Sequence, residues 1–244
     1  MTSITSQIKK LIPLGIKIQL RKILNLLLPG ENIRNSKIKW NKLAEANARY
    51  YVLTDLGEKI SEEEFRAAGK KDFQELITTD TLIVEKLGNF KEKIILEIGC
   101  GIGRITEFLA QNFAKVYGID ISEEMITKGR ERLKNYKNIE FIANDGKVYP
   151  LPDSSVDFVF SYIVFQHMPN KKIIESNFQE IKRVLKKNGL AKIQVRGLPT
   201  SKSNWFYGPA FTQSEIKIML NIIGLTLIKT IGENQRYFWV WLTK

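Results

Sequence analysis

Three glycines at alternate positions, Gly99, Gly101 and Gly103, follow an acid, Glu97, and a second acid, Asp120, stands 21 positions after Gly99. Glycine tolerates positive φ and has no side chain, so a turn of this kind lets the backbone lie directly against a ligand. A carboxylate at that remove reaches the two hydroxyls of a ribose. The chain has a single histidine, His167, whose ordinary pKa suits a general base near neutrality. Its single cysteine, Cys100, falls inside the glycine turn and reads as a small packing residue rather than a nucleophile. The chemistry these residues offer is a nucleotide held by main chain and carboxylate.

The elements that must position them follow from the text around them. Ile94 to Leu96 is a short apolar run bounded by glycines, read as a buried parallel strand. A helix over about 104–113 and a strand over 115–119, closed by Asp120, complete half of a nucleotide-binding βαβ unit. The dinucleotide fingerprint would need glycine where Arg104 stands, and no phosphate-cradling G-x-x-x-x-G-K-[ST] is present. What stands instead, Glu97-x-Gly99-x-Gly101-x-Gly103, resembles motif I of the class I S-adenosylmethionine-dependent methyltransferases. A generic Rossmann turn binding NAD, or no ligand, is the bland alternative.

The resemblance implies S-adenosylmethionine as cofactor. It places the methionine part against Glu97, Gly99, Cys100, Gly101, Gly103 and Arg104, and the adenosine ribose on Asp120, beside Ile121 and Met125. An acid after the third strand would meet the adenine amino group, which points to Asn144, Asp145 and Gly146; Asn-Asp-Gly is also a good turn. Ser161 and Tyr162 end the fourth strand, bordering cofactor and acceptor. Trp40, Arg49, Tyr50 and Tyr51 are the residues ahead of the first strand best able to cover a ligand, and helix packing accounts for them equally well.

Further strands are expected over 139–143, 156–162, 190–195, 225–231 and 237–242, with helices over 122–133, 171–187 and 212–224. Three helices precede them, over 41–56, from the capping box Ser61 to Glu64, and over 72–88. The fold class is therefore α/β. A Rossmann-like, seven-stranded, mostly parallel sheet with an antiparallel last strand carries helices on both faces, behind an amino-terminal helical extension. The organisation reads as a basic amphipathic segment (1–38), a helical lid (39–90) and a cofactor-binding domain (91–244).

The hydrophobic fraction, 43%, and the charged fraction, 26%, are those of a soluble globular protein. One cysteine excludes intrachain disulfides and cysteine-rich zinc sites, which suits a reducing cytoplasm. No run of 18 apolar residues offers a membrane-spanning helix, and the first 30 residues lack a secretory signal. Half of the net charge of +12 lies in residues 1–38, where seven lysines and arginines face one glutamate. There Ile16, Leu20, Ile23, Leu24 and Leu27 share one helix face, with Lys17 and Arg21 on another. Such a helix over residues 8–28 could rest on an anionic membrane at its cytoplasmic face, pack on the catalytic domain, or join a second copy in a homodimer.

Methyl transfer from a sulfonium is an in-line displacement, so the protein chiefly aligns two reactants and excludes water. An oxygen nucleophile of high pKa needs a base, for which His167 is the candidate; packing or helix capping is the other reading. Gln166, Tyr162 and Tyr207 are further polar groups expected near the acceptor. No Pro-Pro-Tyr follows the fourth strand, no cysteine stands ready to attack a cytosine, and no carboxylate cluster offers magnesium a site. Metal-free transfer to a small molecule, sugar, or glycan- or lipid-linked acceptor leads, with O-methylation first. RNA methylation and a non-catalytic cofactor-binding partner are the alternatives, and no basic-aromatic RNA motif is present. The loop 197–211, with Trp205, Phe206 and Tyr207, either lines the acceptor pocket or seals the sheet edge.

Overall fold

In the computed structural model, which describes residues 33–198 and 208–244, the chain is built on seven strands in the order β3-β2-β1-β4-β5-β7-β6. They are β1 (Ile94–Ile98), β2 (Lys115–Asp120), β3 (Ile139–Ala143), β4 (Val156–Ser161), β5 (Leu185–Val195), β6 (Thr226–Ile231) and β7 (Phe238–Thr243). The first five pair in parallel, and β7 runs antiparallel to both β5 and β6. The strand order reverses between β1 and β4, the place where ligands settle beyond the carboxyl ends of an open α/β sheet.

The helices are α1 (Ile33–Val52), α2 (Glu62–Phe73), α3 (Thr81–Leu87), α4 (Thr106–Asn112), α5 (Glu123–Arg132), α6 (Lys171–Val184) and α7 (Gln213–Ile223). Ser61 with Glu64 and Thr212 with Glu215 form the expected reciprocal caps. Ser122 accepts the Met125 N–H to start α5, and Gly224 ends α7 in the left-handed conformation. Two apolar clusters cover the sheet. One joins Leu96, Val159 and Ile193 to Phe178 and Ile181 of α6 and to Leu220 of α7; the other joins Ile95, Val116 and Phe158 to Leu109 of α4 and Ile83 of α3.

Three expected elements differ. The helix foreseen over 41–56 starts at Ile33, inside the segment assigned to the basic extension, and is kinked at Asn47, where φ is −167°. Asn47 Oδ1 there accepts the Tyr50 N–H while its amide donates to the Glu58 carbonyl, so a side chain restarts the helix in mid-course. The helix foreseen over 72–88 is broken by a π turn at Gln74–Thr78, and Asp80 caps a separate α3. Asp80 also pairs with Lys192 on β5 and accepts the Trp241 indole N–H, and this buried anchor holds the break in place. The helix foreseen to Lys187 stops at Val184, because β5 begins at Leu185 and bulges before rejoining β4 at Leu190.

Candidate functional site

The turn after β1 is fixed by main chain: the N–H groups of Gly99 and Cys100 both donate to the Ile119 carbonyl at the end of β2. All three glycines have positive φ, from 54° at Gly101 to 86° at Gly103. At Gly99 an added Cβ would lie 2.2 Å from Val164, and at Gly101 2.9 Å from Val52, so segments from β4 and α1 close on the turn from two sides. Gly103 instead faces Leu133 and Phe141 and serves packing behind the site. A pocket of about 1310 Å³, open mouth included, runs from this turn past the ends of β2 and β4.

Asp120 sits at the carboxyl end of β2, with Oδ2 accepting the Gly101 N–H at 3.0 Å and Oδ1 the Ser122 N–H at 2.8 Å. Each oxygen keeps a second lone pair for a ligand hydroxyl. Burial raises its pKa to about 6 against the opposing backbone donors. Glu97 is buried with Oε2 accepting the Thr106 hydroxyl at 2.5 Å, and burial raises it to about 7. Cys100, also buried, is pushed well up by desolvation, which keeps it a thiol.

Arg104 lines the same pocket, paired with Asp72 of α2, and its buried Nε–H has no partner among the described residues. A buried donor of that kind is costly unless something accepts it. Ile121, Met125, Asn144 and Gly146 also line the pocket. Asp145 does not: its Oδ1 accepts the N–H groups of Lys147 and Val148 and shapes the turn. Ser161 is buried and donates to the Ile98 carbonyl, tying β4 to β1 behind the pocket. Tyr50 lies outside the lining, edge-on to Tyr51, which takes part in it with Trp40.

Beyond the β4 end lie Tyr162, Ile163, Val164 and His167. Ile163 has φ of +58°, strained for a β-branched residue, and its N–H donates to Gln194 Oε1. That bond orients a whole chain of groups. Gln194 must present its nitrogen to Gln166 Oε1 at 3.2 Å, and Gln166 must present its own nitrogen to His167 Nε2, also at 3.2 Å. His167 Nε2 is therefore an acceptor already engaged, and the ring hydrogen sits on Nδ1. Gln166 is fully buried behind the imidazole rather than facing the pocket.

The lining residues that were not foreseen include Asp55, Arg236 and Tyr237. Asp55 follows the carboxyl end of α1, and Arg236 and Tyr237 come from the β6–β7 hairpin. An antiparallel β7 puts its own start at the carboxyl edge of the parallel strands, so a strand-direction argument could have found the last two. Tyr207 lies outside the described residues. Among the described residues no three His, Cys, Asp or Glu side chains group as a metal site requires.

Residues 96–193 match the family model for a methyltransferase domain. This part of the chain is a class I S-adenosylmethionine-dependent methyltransferase domain. The protein is 35% identical over 119 residues to phosphoethanolamine N-methyltransferase 2 of Caenorhabditis elegans, covering 47% of this chain and 26% of that protein. It is 32% identical over 139 residues to malonyl-[acyl-carrier protein] O-methyltransferase 2 of Ilyobacter polytropus, covering 54% and 52%. The chain thus spans about half or less of the length of these curated relatives. Among solved structures, magnesium protoporphyrin IX methyltransferase of Synechocystis with bound S-adenosylhomocysteine shares the fold. That likeness has a TM-score of 0.64 at 16% identity, over 87% of this chain and 100% of the other.

Proposed function

We propose that this methyltransferase acts on an oxygen of a small molecule, sugar, or glycan- or lipid-linked acceptor, without a metal ion. The observation that carries the reading is the joining of two ends in one pocket: the glycine turn with Asp120, and the lobe of Tyr162, His167, Arg236 and Tyr237. The relatives named above act, by their names, on a small phospho-amine and on a carrier-bound malonyl group, which fits an acceptor of modest size.

The residues present suit S-adenosylmethionine. The backbone of Gly99 and Gly101, which line the pocket, would take its amino-acid part, and the Arg104 Nε–H, without a partner among the described residues, would meet its carboxylate. Asp120 would hold the ribose, and Asn144 and Gly146 the adenine. When bound, the group supplies an electrophilic methyl on a sulfonium. Trp40, Tyr51 and Val52 of α1 line the pocket and would exclude water from the transfer, and Tyr162 with Val164 would fix the side from which an acceptor enters.

The stretch over residues 8–28 lies outside the described residues; its basic, amphipathic pattern supports peripheral contact with an anionic membrane, or pairing of two copies, as the sequence suggested. No described helix is long and apolar enough to cross a membrane. Incubation of the full chain with methyl-labelled S-adenosylmethionine and a cell extract tests the reading. The expected label enters small or lipid-linked molecules, each heavier by one methyl group. Label recovered in RNA would replace the reading with RNA methylation, and S-adenosylhomocysteine binding with no label transferred would leave a non-catalytic partner.

A further inference from the structure

We propose that the methyl acceptor is a carboxylate, recognised through Arg236, and that the product is a methyl ester. The proposal rests on the methyltransferase reading above and narrows it to one acceptor class. Two features of the described lining lead there: a guanidinium, Arg236, with no carboxylate partner among the described residues, and an imidazole and two buried acids that are already hydrogen-bonded.

The cation is placed by topology. Because β7 runs against β5, the hairpin before it reaches the end of β4, where the Tyr237 and Tyr162 rings stand 5.9 Å apart. Arg236 lies over the Tyr237 ring at 5.2 Å and has no carboxylate partner among the described residues. The other lining guanidinium, Arg104, is paired with Asp72. Arg236 therefore offers a planar fork of donors at the pocket mouth, the geometry that suits a carboxylate held by two parallel hydrogen bonds.

The imidazole and the two buried acids of the lining are otherwise engaged. His167 Nε2 accepts from Gln166, an arrangement set from the Ile163 backbone N–H through Gln194. Asp120 binds two backbone N–H groups, and Glu97 binds Thr106, both at the glycine-turn end. Tyr162 is half-buried, which favours its protonated form. Asp55 is exposed to solvent. Among the described lining residues, His167, Asp120 and Glu97 each already accept a hydrogen bond on an atom that would take the proton in the activation of a neutral hydroxyl.

A carboxylate needs no such activation, being ionised at neutral pH. One of its oxygens forms the new bond to the methyl carbon as the carbon–sulfur bond breaks, and that bond's electron pair goes to sulfur. The sulfonium charge and the carboxylate charge cancel, and no proton is transferred. Arg236 holds the second oxygen and turns the first toward the cofactor end.

Methyl esters release methanol in mild alkali, whereas methyl ethers and N-methyl groups do not, and this separates the classes without knowing the acceptor. The full chain, tritiated S-adenosylmethionine and a low-molecular-weight cell extract are incubated, and the product is treated with dilute base. The expected label becomes volatile. In R236Q, ester formation at low extract concentration falls about tenfold or more while the Kd for S-adenosylhomocysteine stays within about twofold. Alkali-stable label, unchanged ester formation in R236Q, or cofactor binding with no labelled product each overturns the proposal. Failure to bind S-adenosylhomocysteine would instead bring down the methyltransferase reading itself.

Discussion

His167 Nε2 stands 3.2 Å from the amide nitrogen of Gln166, whose own oxygen accepts from Gln194, so the imidazole is held by a relay that begins at a backbone N–H. A general base adds roughly 10²–10⁴ to a rate. Because Nε2 is engaged and the hydrogen sits on Nδ1, His167→Asn is expected to keep transfer within about tenfold of wild type, below the range for a lost base. With one histidine in the chain, nitrogen-15 spectra give a single imidazole, expected as the Nδ1–H tautomer. A larger loss together with a vanished pH dependence would make the ring a base.

Gly99→Ala tests the closure of the turn. Its φ is +72° and its added Cβ would meet Val164 at 2.2 Å, so both backbone and packing resist the change. Denaturant unfolding is expected to show a loss of about 1–3 kcal/mol, with weaker S-adenosylhomocysteine binding beside it. An unchanged midpoint would mean that the turn relaxes freely.

Glu97 carries a pH signature. Burial lifts its folded-state pKa to about 7, above the ordinary carboxylate value. A raised carboxylate pKa means the folded state binds the proton more tightly than the unfolded state, so the charge disfavours folding above pH 7. That penalty is relieved as pH falls from about 7 toward the unfolded value. Glu97→Gln, which can still accept from Thr106, should therefore be more stable than wild type at pH 8 and lose that advantage by pH 5. A constant difference across the range, read by thermal melts of ligand-free protein, would contradict the assignment.

Asp80 and Lys192 form a buried pair at 2.8 Å, with both side chains under 10% exposed and Trp241 also donating to Asp80. Removing one partner strands the other charge, and Asp80→Ala is expected to cost about 3–5 kcal/mol in urea unfolding. The double variant Asp80→Leu with Lys192→Met should recover most of that loss, since matched apolar groups leave no stranded charge.

Much of the domain could be read in the chain. The period of Ile94 to Ile121 and its glycines specify strand, turn, helix and strand, because local sterics and backbone pairing decide those elements. Three helix caps were visible for the same reason: Ser61, Ser122 and Thr212 bond within their own first turn. What was hidden depends on partners distant in sequence. The break at Asp80 is set by Lys192, 112 positions away, and the bulge of β5 by its pairing with β4. Asp120 was singled out by its spacing and Arg104 through the family resemblance, and both line the pocket, whereas Arg236 enters only through the direction of β7. Gln166 shares a motif with His167, yet only the fold shows that it faces the imidazole and not the pocket.

Asp120 and the glycine turn together form the proposed seat for S-adenosylmethionine, and calorimetry with S-adenosylhomocysteine tests that seat directly. Saturable binding to the wild type is expected, weakened at least about tenfold in Asp120→Asn, where a charged acceptor for the ribose hydroxyls becomes a neutral one. No heat with wild type, or equal affinity in the variant, would contradict it.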